Sequence, residues 1–317
     1  MIVAEQLTRR YDQLIAVDSV NFSIQAGEIV GLLGRNGAGK TTIMKMMTGF
    51  LEPSAGTVAF DQLDIQNHAS EIKMKLGYLA ENLPLYPEMT VIDYLDYSAQ
   101  MHGLGVLDRP SAVSRSIAET DLYDKALEPI GTLSRGYRQR VGVAQAILHA
   151  PSFLVMDEPT NGLDPSQTQQ MRELIVRLAK KATVVLSTHI MQEVNAICDR
   201  VMILKMGNMV LDESLSALRH SSRLLLSTDG QITAVDAALR DIDELQSAVH
   251  ISDSDGVGQF ALPLSGEGFD EQRINTITAE VIRRLVAGNI AVYGVNAEQR
   301  DLESLFQDAG EGEVDDA

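Results

Sequence analysis

The chain has no tryptophan and one cysteine, Cys198, in 317 residues. A single thiol closes no intrachain disulfide, which excludes a disulfide-stapled scaffold and fits a reducing compartment. Long apolar runs are missing: none approaches the roughly 20 residues that span a bilayer. Met1 to Arg10 lacks the long apolar core of a secretory signal. The expected location is cytoplasmic, and work at a membrane would require another subunit to supply the spans. Basic residues are scarce, 26 against 44 acidic, for a net charge of −18. Lysine stops at Lys205, and residues 211–317 carry 21 acidic and 7 basic side chains, all arginine. This balance argues against nucleic acid as the main ligand. The acidity is read as solubility.

What is present is concentrated in one stretch. Gly34, Arg35, Asn36, Gly37, Ala38, Gly39, Lys40 and Thr41 fit G-x-x-x-x-G-K-[ST] at every fixed position. The apolar run Ile29–Leu33 leads in, and a helix-compatible run opening at Thr42 leads out, which is the strand–loop–helix context of a phosphate-binding loop. Glycines let the backbone wrap so that N–H groups face phosphate oxygens, and the helix start adds a positive dipole end. Lys40 is placed to reach terminal phosphates, and the Thr41 hydroxyl to hold Mg²⁺.

The length suggests two domains, and a hydrophobic fraction of 45% suffices for packed cores. Strands are expected at Ile2–Leu7, Val20–Ile24, Ile29–Leu33, Thr57–Phe60, Leu76–Leu79, Thr183–Ser187 and, last in this half, Val201–Leu204. Pro84 and Pro87 exclude regular structure around them. Thr90 reads as a helix cap, with Val91, Tyr94, Leu95 and Ser98 on one face. Further helices are expected over Ser114–Leu127, from a Ser134 cap to His149, and over Gln167–Lys181. Phe153–Met156 is wholly apolar and ends in Asp157-Glu158, as a buried parallel strand delivering carboxylates at its C-terminal end.

Composition shifts near residue 215. Beyond it, strands at Arg223–Thr228, Ala248–Ser252, Gln259–Leu264 and Ile290–Val295 alternate with helices at Ile232–Ile242 and Ile274–Ala287, with a short helix at Leu302–Phe306. The order β-α-β-β-α-β matches a ferredoxin-like split βαβ unit. Expected boundaries are 1–215, with a helical subdomain near 83–150, an α+β accessory domain at 216–309, and an acidic disordered tail at 310–317. The accessory unit carries no metal-ligand or nucleophile cluster; a dimer contact, a regulatory site and a stabilising cap stay open for it.

Four further stretches, in order, resemble the ATP-binding cassette (ABC) ATPase family. Tyr78-Leu79-Ala80-Glu81 resembles its glutamine loop, and Leu133-Ser134-Arg135-Gly136-Tyr137 its L-S-G-G-Q signature. Phe153–Glu158 with Asn161-Gly162-Leu163-Asp164 resembles the Walker B strand, catalytic glutamate and D-loop, and Ser187-Thr188-His189 its switch histidine. With the phosphate loop these cover about residues 1–210, and such an ordered series is far more specific than any one motif. Within the family, LSRGYRQR, GYLAENLPLYPEMT and the C-terminal extension resemble ATPase subunits of ABC-2-type exporters of the gliding-motility and multidrug-export groups. Glu81 stands where many members have Gln, and Arg135 and Tyr137 replace Gly and Gln of the signature, while Ser134 and Gly136 remain.

The resemblance implies an α/β phosphate-loop NTPase core with a β-subdomain and a helical subdomain. It implies ATP and Mg²⁺ as ligands, with ATP bound by Gly34 through Thr42, by Tyr11 stacked on adenine, and by Ser134 and Gly136. Mg²⁺ would be held by Thr41, Asp157 and Glu81. Glu158 would be the general base and His189 the residue contacting the terminal phosphate. Asp164 either links two active sites or caps the helix that Pro165 begins, and both roles are compatible. Since the family's signature closes over the ATP of a second protomer, a head-to-tail homodimer or a paired second cassette is implied, together with an integral membrane permease of ABC-2 type and no nucleic acid. The rival reading is a soluble ATP-driven switch not coupled to transport.

Overall fold

The computed structural model describes residues 1–219, 223–254, 257–265 and 271–298. By contacts the chain divides into Met1–Ser214 and a second unit beginning at Leu215. The first unit runs β1 (Ile2–Tyr11), β2 (Leu14–Ile24), β3 (Ile29–Leu33), α1 (Lys40–Met47), β4 (Ala55–Phe60), β5 (Leu63–Asp64), α2 (Ala69–Lys73) and β6 (Leu76–Leu79). It continues through α3 (Val91–Met101), α4 (Arg109–Glu119), α5 (Arg135–Ala146), β7 (Phe153–Asp157), α6 (Pro165–Ala179), β8 (Thr183–Thr188), α7 (Met191–Ile197), β9 (Arg200–Lys205) and β10 (Asn208–Ser214).

Two sheets form. The antiparallel one has the order β2-β1-β4-β5, and the larger one the order β10-β9-β3-β8-β7-β6. Within the larger sheet β6, β7, β8, β3 and β9 pair in parallel, and β10 closes the edge as an antiparallel hairpin on β9. Every residue of β3, β7 and β8 is buried, as expected of strands covered on both faces. Ile43, Met44, Met46 and Met47 of α1 join Ile2, Leu7, Ile24 and Phe60 in one core between the sheets. Each such side chain contributes about 1.5–3 kcal/mol of burial, so α1 is held by packing more than by its own eight residues.

Register decides where chemistry collects. Leu33 lies opposite Thr188, and Asp157 opposite Ser187. The C-terminal ends of β3, β7 and β8 therefore release the phosphate loop, Asp157-Glu158 and Thr188-His189 along one edge, the crevice where open α/β sheets bind ligands.

Three local expectations are corrected. Val201–Leu204 is not the last strand of this half, since Asn208–Ser214 adds β10 through a turn at Met206-Gly207, both at positive φ. The helix expected at Ser114–Leu127 begins at Arg109, with Pro110 in its first turn where the missing N–H is harmless. It ends at Glu119 because Asp121 adopts φ +57, and Tyr123–Lys125 is a separate 3₁₀ turn. The helix capped by Ser134 ends at Ala146 rather than His149. Thr90 does cap α3, accepting from the Asp93 N–H, and Val91, Tyr94, Leu95 and Ser98 are all buried.

The second unit runs α8 (Leu215–Arg219), β11 (Arg223–Thr228), α9 (Ile232–Leu239), β12 (Val249–Ser254), β13 (Val257–Pro263), α10 (Glu271–Ala287) and β14 (Val292–Ala297). Its antiparallel sheet has the order β12-β13-β11-β14. Ile274, Ile277, Val281 and Leu285, spaced at helical period on α10, pack with Leu224, Leu226 and Leu262. The helix expected at Leu302–Phe306 and the tail at 310–317 lie outside the described residues. Among the described residues no helix is long and apolar enough to cross a membrane.

Candidate active site

The phosphate loop is a tight wrap with an exposed tip. Arg35, Asn36 and Gly37 are exposed, while Gly34, Ala38 and Lys40 are buried. Gly39 has φ +109, and a Cβ there would lie 2.6 Å from the Ala16 carbonyl oxygen; one at Gly34 would lie 2.8 Å from that of Leu204. Both glycines are thus required by close backbone approach. Thr41 and Thr42 follow in the first turn of α1, whose N-terminal amides face the loop.

Behind the loop a chain of contacts joins six of the expected residues. Lys40 Nζ donates to the Gly34 carbonyl at 2.7 Å and lies 3.5 Å from Glu158 Oε1, with both side chains buried. Glu158 Oε2 lies 2.9 Å from His189 Nδ1, on a ring that is 43% exposed. Thr41 Oγ1 donates to Asp157 Oδ1 at 3.3 Å, and Ser187 Oγ donates to the same oxygen at 2.5 Å. Ser187 Oγ in turn accepts the Glu158 backbone N–H at 2.9 Å. Glu158 has φ +50, a left-handed conformation costing about 1–2 kcal/mol for a residue with a Cβ. Such strain persists where surrounding contacts over-determine it, typically at functional sites.

Asp157 is 1% exposed, and its second oxygen, Oδ2, is buried without a hydrogen-bond partner. A buried orphan carboxylate oxygen beside a threonine hydroxyl suits a hydrated Mg²⁺, which takes few protein ligands and completes its shell with water and phosphate. Among the described residues no group of three or more His, Cys, Asp or Glu is placed to hold a metal ion. Glu81 lies two residues beyond β6 and is exposed. It stands close enough that its charge, after burial and that of Asp157, helps push the Tyr78 phenol up to about 12.

Ser134, Gly136 and Asp164 stand outside that network of contacts. Ser134 caps α5 by accepting the Tyr137 N–H at 3.4 Å, and Asp164 caps α6 by accepting the Gln167 N–H at 2.8 Å. Gly136 and Asp164 line one groove with Tyr137 and Gln167. A Cβ at Gly136 would meet Gln167 Oε1 at 2.6 Å. Among the described residues no hydrogen bond or ion pair joins residues 134–137 to residues 34–41. Tyr11 ends β1 and is exposed, with the Arg9 guanidinium 4.6 Å from its ring centre.

Sequence reasoning passed over two contributors. In the sequence Ser187 is only a neighbour of His189, whereas in the structure it bridges Asp157 and Glu158. Thr188 donates to the buried Glu193 at 2.9 Å and accepts the Ile190 N–H, fixing the turn that carries His189. Only the cross-strand register reveals the first; a hydroxyl pair before the histidine was the available signal for the second.

A loop wrapped for phosphates and a buried carboxylate pair at the ends of adjacent parallel strands define a nucleotide-binding α/β cassette. The family model for ABC transporter matches residues 17–161. The ABC transporter ATP-binding protein NatA of Bacillus subtilis (strain 168) is 34% identical over 229 residues, which cover 70% of this chain and 93% of that protein. The bacitracin transport ATP-binding protein BcrA of Enterococcus faecalis is 29% identical over 314 residues, 96% of this chain and 95% of its own length. A solved ATP binding subunit of an ABC transporter superposes with a TM-score of 0.62 at 28% identity, covering 69% of this chain and 92% of the other. The chain belongs to the ABC transporter family, among its ATP-binding proteins.

Proposed function

We propose that this chain hydrolyses ATP at the Lys40–Glu158–His189 cluster, as a head-to-tail dimer, to power export through a separate ABC-2-type permease. The observation that carries the catalytic part is the buried Glu158 carboxylate, set between the phosphate-loop lysine at 3.5 Å and an exposed histidine at 2.9 Å. A carboxylate so placed accepts the proton of an attacking water, His189 orients it, and Lys40 offsets negative charge on the phosphates. Thr41 and the free Oδ2 of Asp157 are the groups that would hold Mg²⁺, with Glu81 at the margin. When bound, the metal supplies neutralisation of phosphate charge.

The dimer reading is supported by the groove that Gly136 and Asp164 line, whose lining includes no residue of Gly34 through Thr42. Ser134 and Gly136 of a second copy would close over ATP held by Gly34 through Thr42, with Tyr11 against the base and Asp164 at the junction of the two sites. Partnership with a membrane permease, and a place at the inner face of the membrane, are supported by BcrA, matched along nearly its full length and named for bacitracin transport. The unit beginning at Leu215 is read as a dimer contact or regulatory domain.

Purification of the tagged chain from its own membranes tests the coupling. A stoichiometric integral membrane protein and Mg²⁺-dependent ATPase that Lys40→Ala abolishes are expected. ATPase with no membrane partner would favour a soluble ATP-driven switch, and no ATPase in the purified complex would overturn the reading.

A further inference from the structure

Arg135 opens α5 directly after the Ser134 cap, and its side chain is an addition to the L-S-G-G-Q pattern. Its guanidinium is seated on the D-loop of the same chain. A Cβ built on Gly162 would lie 2.4 Å from Arg135 Cζ and 2.5 Å from Nη1, so that group occupies the space a side chain would take. Gly162 has φ +72, which a residue with a Cβ adopts only with strain. The positive φ is what favours glycine at position 162, while the guanidinium is the end of a flexible side chain that a Cβ there would push aside.

The segment under the guanidinium leads straight to the base. The Asn161 N–H donates to the Glu158 carbonyl at 3.1 Å, so Glu158–Asn161 is a single turn that Gly162 continues. That turn starts at the left-handed Glu158, whose N–H is pinned to Ser187 Oγ. On the other side, Gly136 abuts Gln167 in the first turn of α6. The signature turn thus lies against the D-loop through Arg135 and against the start of α6 through Gly136, and the D-loop is continuous with Glu158.

We infer that Arg135 is a positioning residue for hydrolysis, transmitting the placement of the signature turn to Glu158 through its seat on Gly162. The inference rests on the dimeric ATPase reading above. If the signature serves the nucleotide of a second copy while Glu158 serves the chain's own, this contact couples the two sites: docking one presses on the base of the other. A small misplacement of a reacting group lowers rate with little effect on ground-state binding.

The test uses the full-length chain and ATP with Mg²⁺. Arg135→Ala is expected to lower kcat by about 10- to 100-fold, to leave affinity for a fluorescent ATP analogue within about two-fold, and to bring the Hill coefficient of the ATPase towards about one. Arg135→Lys and Arg135→Met keep a long stem over Gly162 and are expected to recover most of the rate. Gly162→Ala displaces the guanidinium, so the Arg135→Ala/Gly162→Ala double variant is expected to be no slower than the slower single variant. Unchanged kcat and cooperativity in Arg135→Ala, or fully multiplicative losses in the double variant, would overturn the inference. Recovery by Lys but not by Met would also overturn it, placing the effect in the charge rather than the seat. An inactive wild type would instead remove the hydrolysis reading, and the two failures are thereby distinct. Melting temperatures of all variants exclude loss of fold as the cause.

Discussion

The hydroxyl of Ser187 donates to the carboxylate of Asp157 across 2.5 Å, from one parallel strand to its neighbour, while accepting the backbone N–H of Glu158 at 2.9 Å. One side chain thus holds the Asp157 carboxylate and the backbone of Glu158. Ser187→Ala removes the donor from Asp157 and leaves a buried N–H unpaired, which costs about 1–3 kcal/mol. A lower melting temperature together with about a ten-fold slower ATPase is expected, ten-fold being about 1.4 kcal/mol in a barrier. Wild-type rate and stability in this variant would mean that the bridge holds nothing that matters.

Lys40 makes its contacts inside the site: the Gly34 carbonyl at 2.7 Å and Glu158 at 3.5 Å. Lys40→Ala should abolish ATP binding measured by calorimetry, and it removes the cation 3.5 Å from the buried Glu158 carboxylate. Unchanged affinity would refute the reading of the loop as the phosphate cradle.

Gly39 is the least replaceable glycine of the loop. Alanine would take a φ of +109 and place its Cβ 2.6 Å from the Ala16 carbonyl, against backbone that does not swing aside. Strain of about 1–2 kcal/mol adds to an overpacking penalty of similar size. Thermal unfolding should show Gly39→Ala well below wild type, whereas Gly37→Ala, where a Cβ meets open space at φ +84, carries the conformational part alone. Equal melting temperatures for the two would contradict the close approach.

The paired imidazoles of His102 and His149 stack at 4.4 Å and 17° in the first unit. Burial, with the His102 charge adding, holds His149 down to about 4, and burial lowers His102 as well. His149 Nε2 lies 3.1 Å from the Leu76 carbonyl and Nδ1 is buried without a partner, so the folded chain takes up no proton there near neutrality. Between about pH 6.5 and 4 the unfolded chain binds a proton at this position that the folded chain refuses, and stability falls as pH falls through that window. His149→Gln should flatten this part of the pH–melting curve relative to wild type. Parallel curves would show that the stack does not titrate as described.

Much of the fold and site was legible because its signals are local. The phosphate loop, the apolar run ending in Asp157-Glu158, the Thr90 cap and the period of α10 each lie within a few residues of one another. What escaped is non-local or depends on a single backbone angle. The Ser187 bridge exists because β7 and β8 pair in a register that no short window contains. β10 depends on a two-residue turn at positive φ, and the end of α4 on Asp121 adopting φ +57. The approach of Arg135 to Gly162 joins residues 27 positions apart in sequence, which no short window contains.

The most direct test of the account is ATPase rate and oligomeric state of Glu158→Gln in the presence of ATP and Mg²⁺. The amide keeps the shape beside Lys40 and His189 but no longer accepts a proton from water. The account requires bound ATP, hydrolysis reduced at least about 100-fold, and a dimer that persists on size-exclusion chromatography until ATP is removed. Hydrolysis near the wild-type rate, or a chain that stays monomeric with ATP bound, would contradict it.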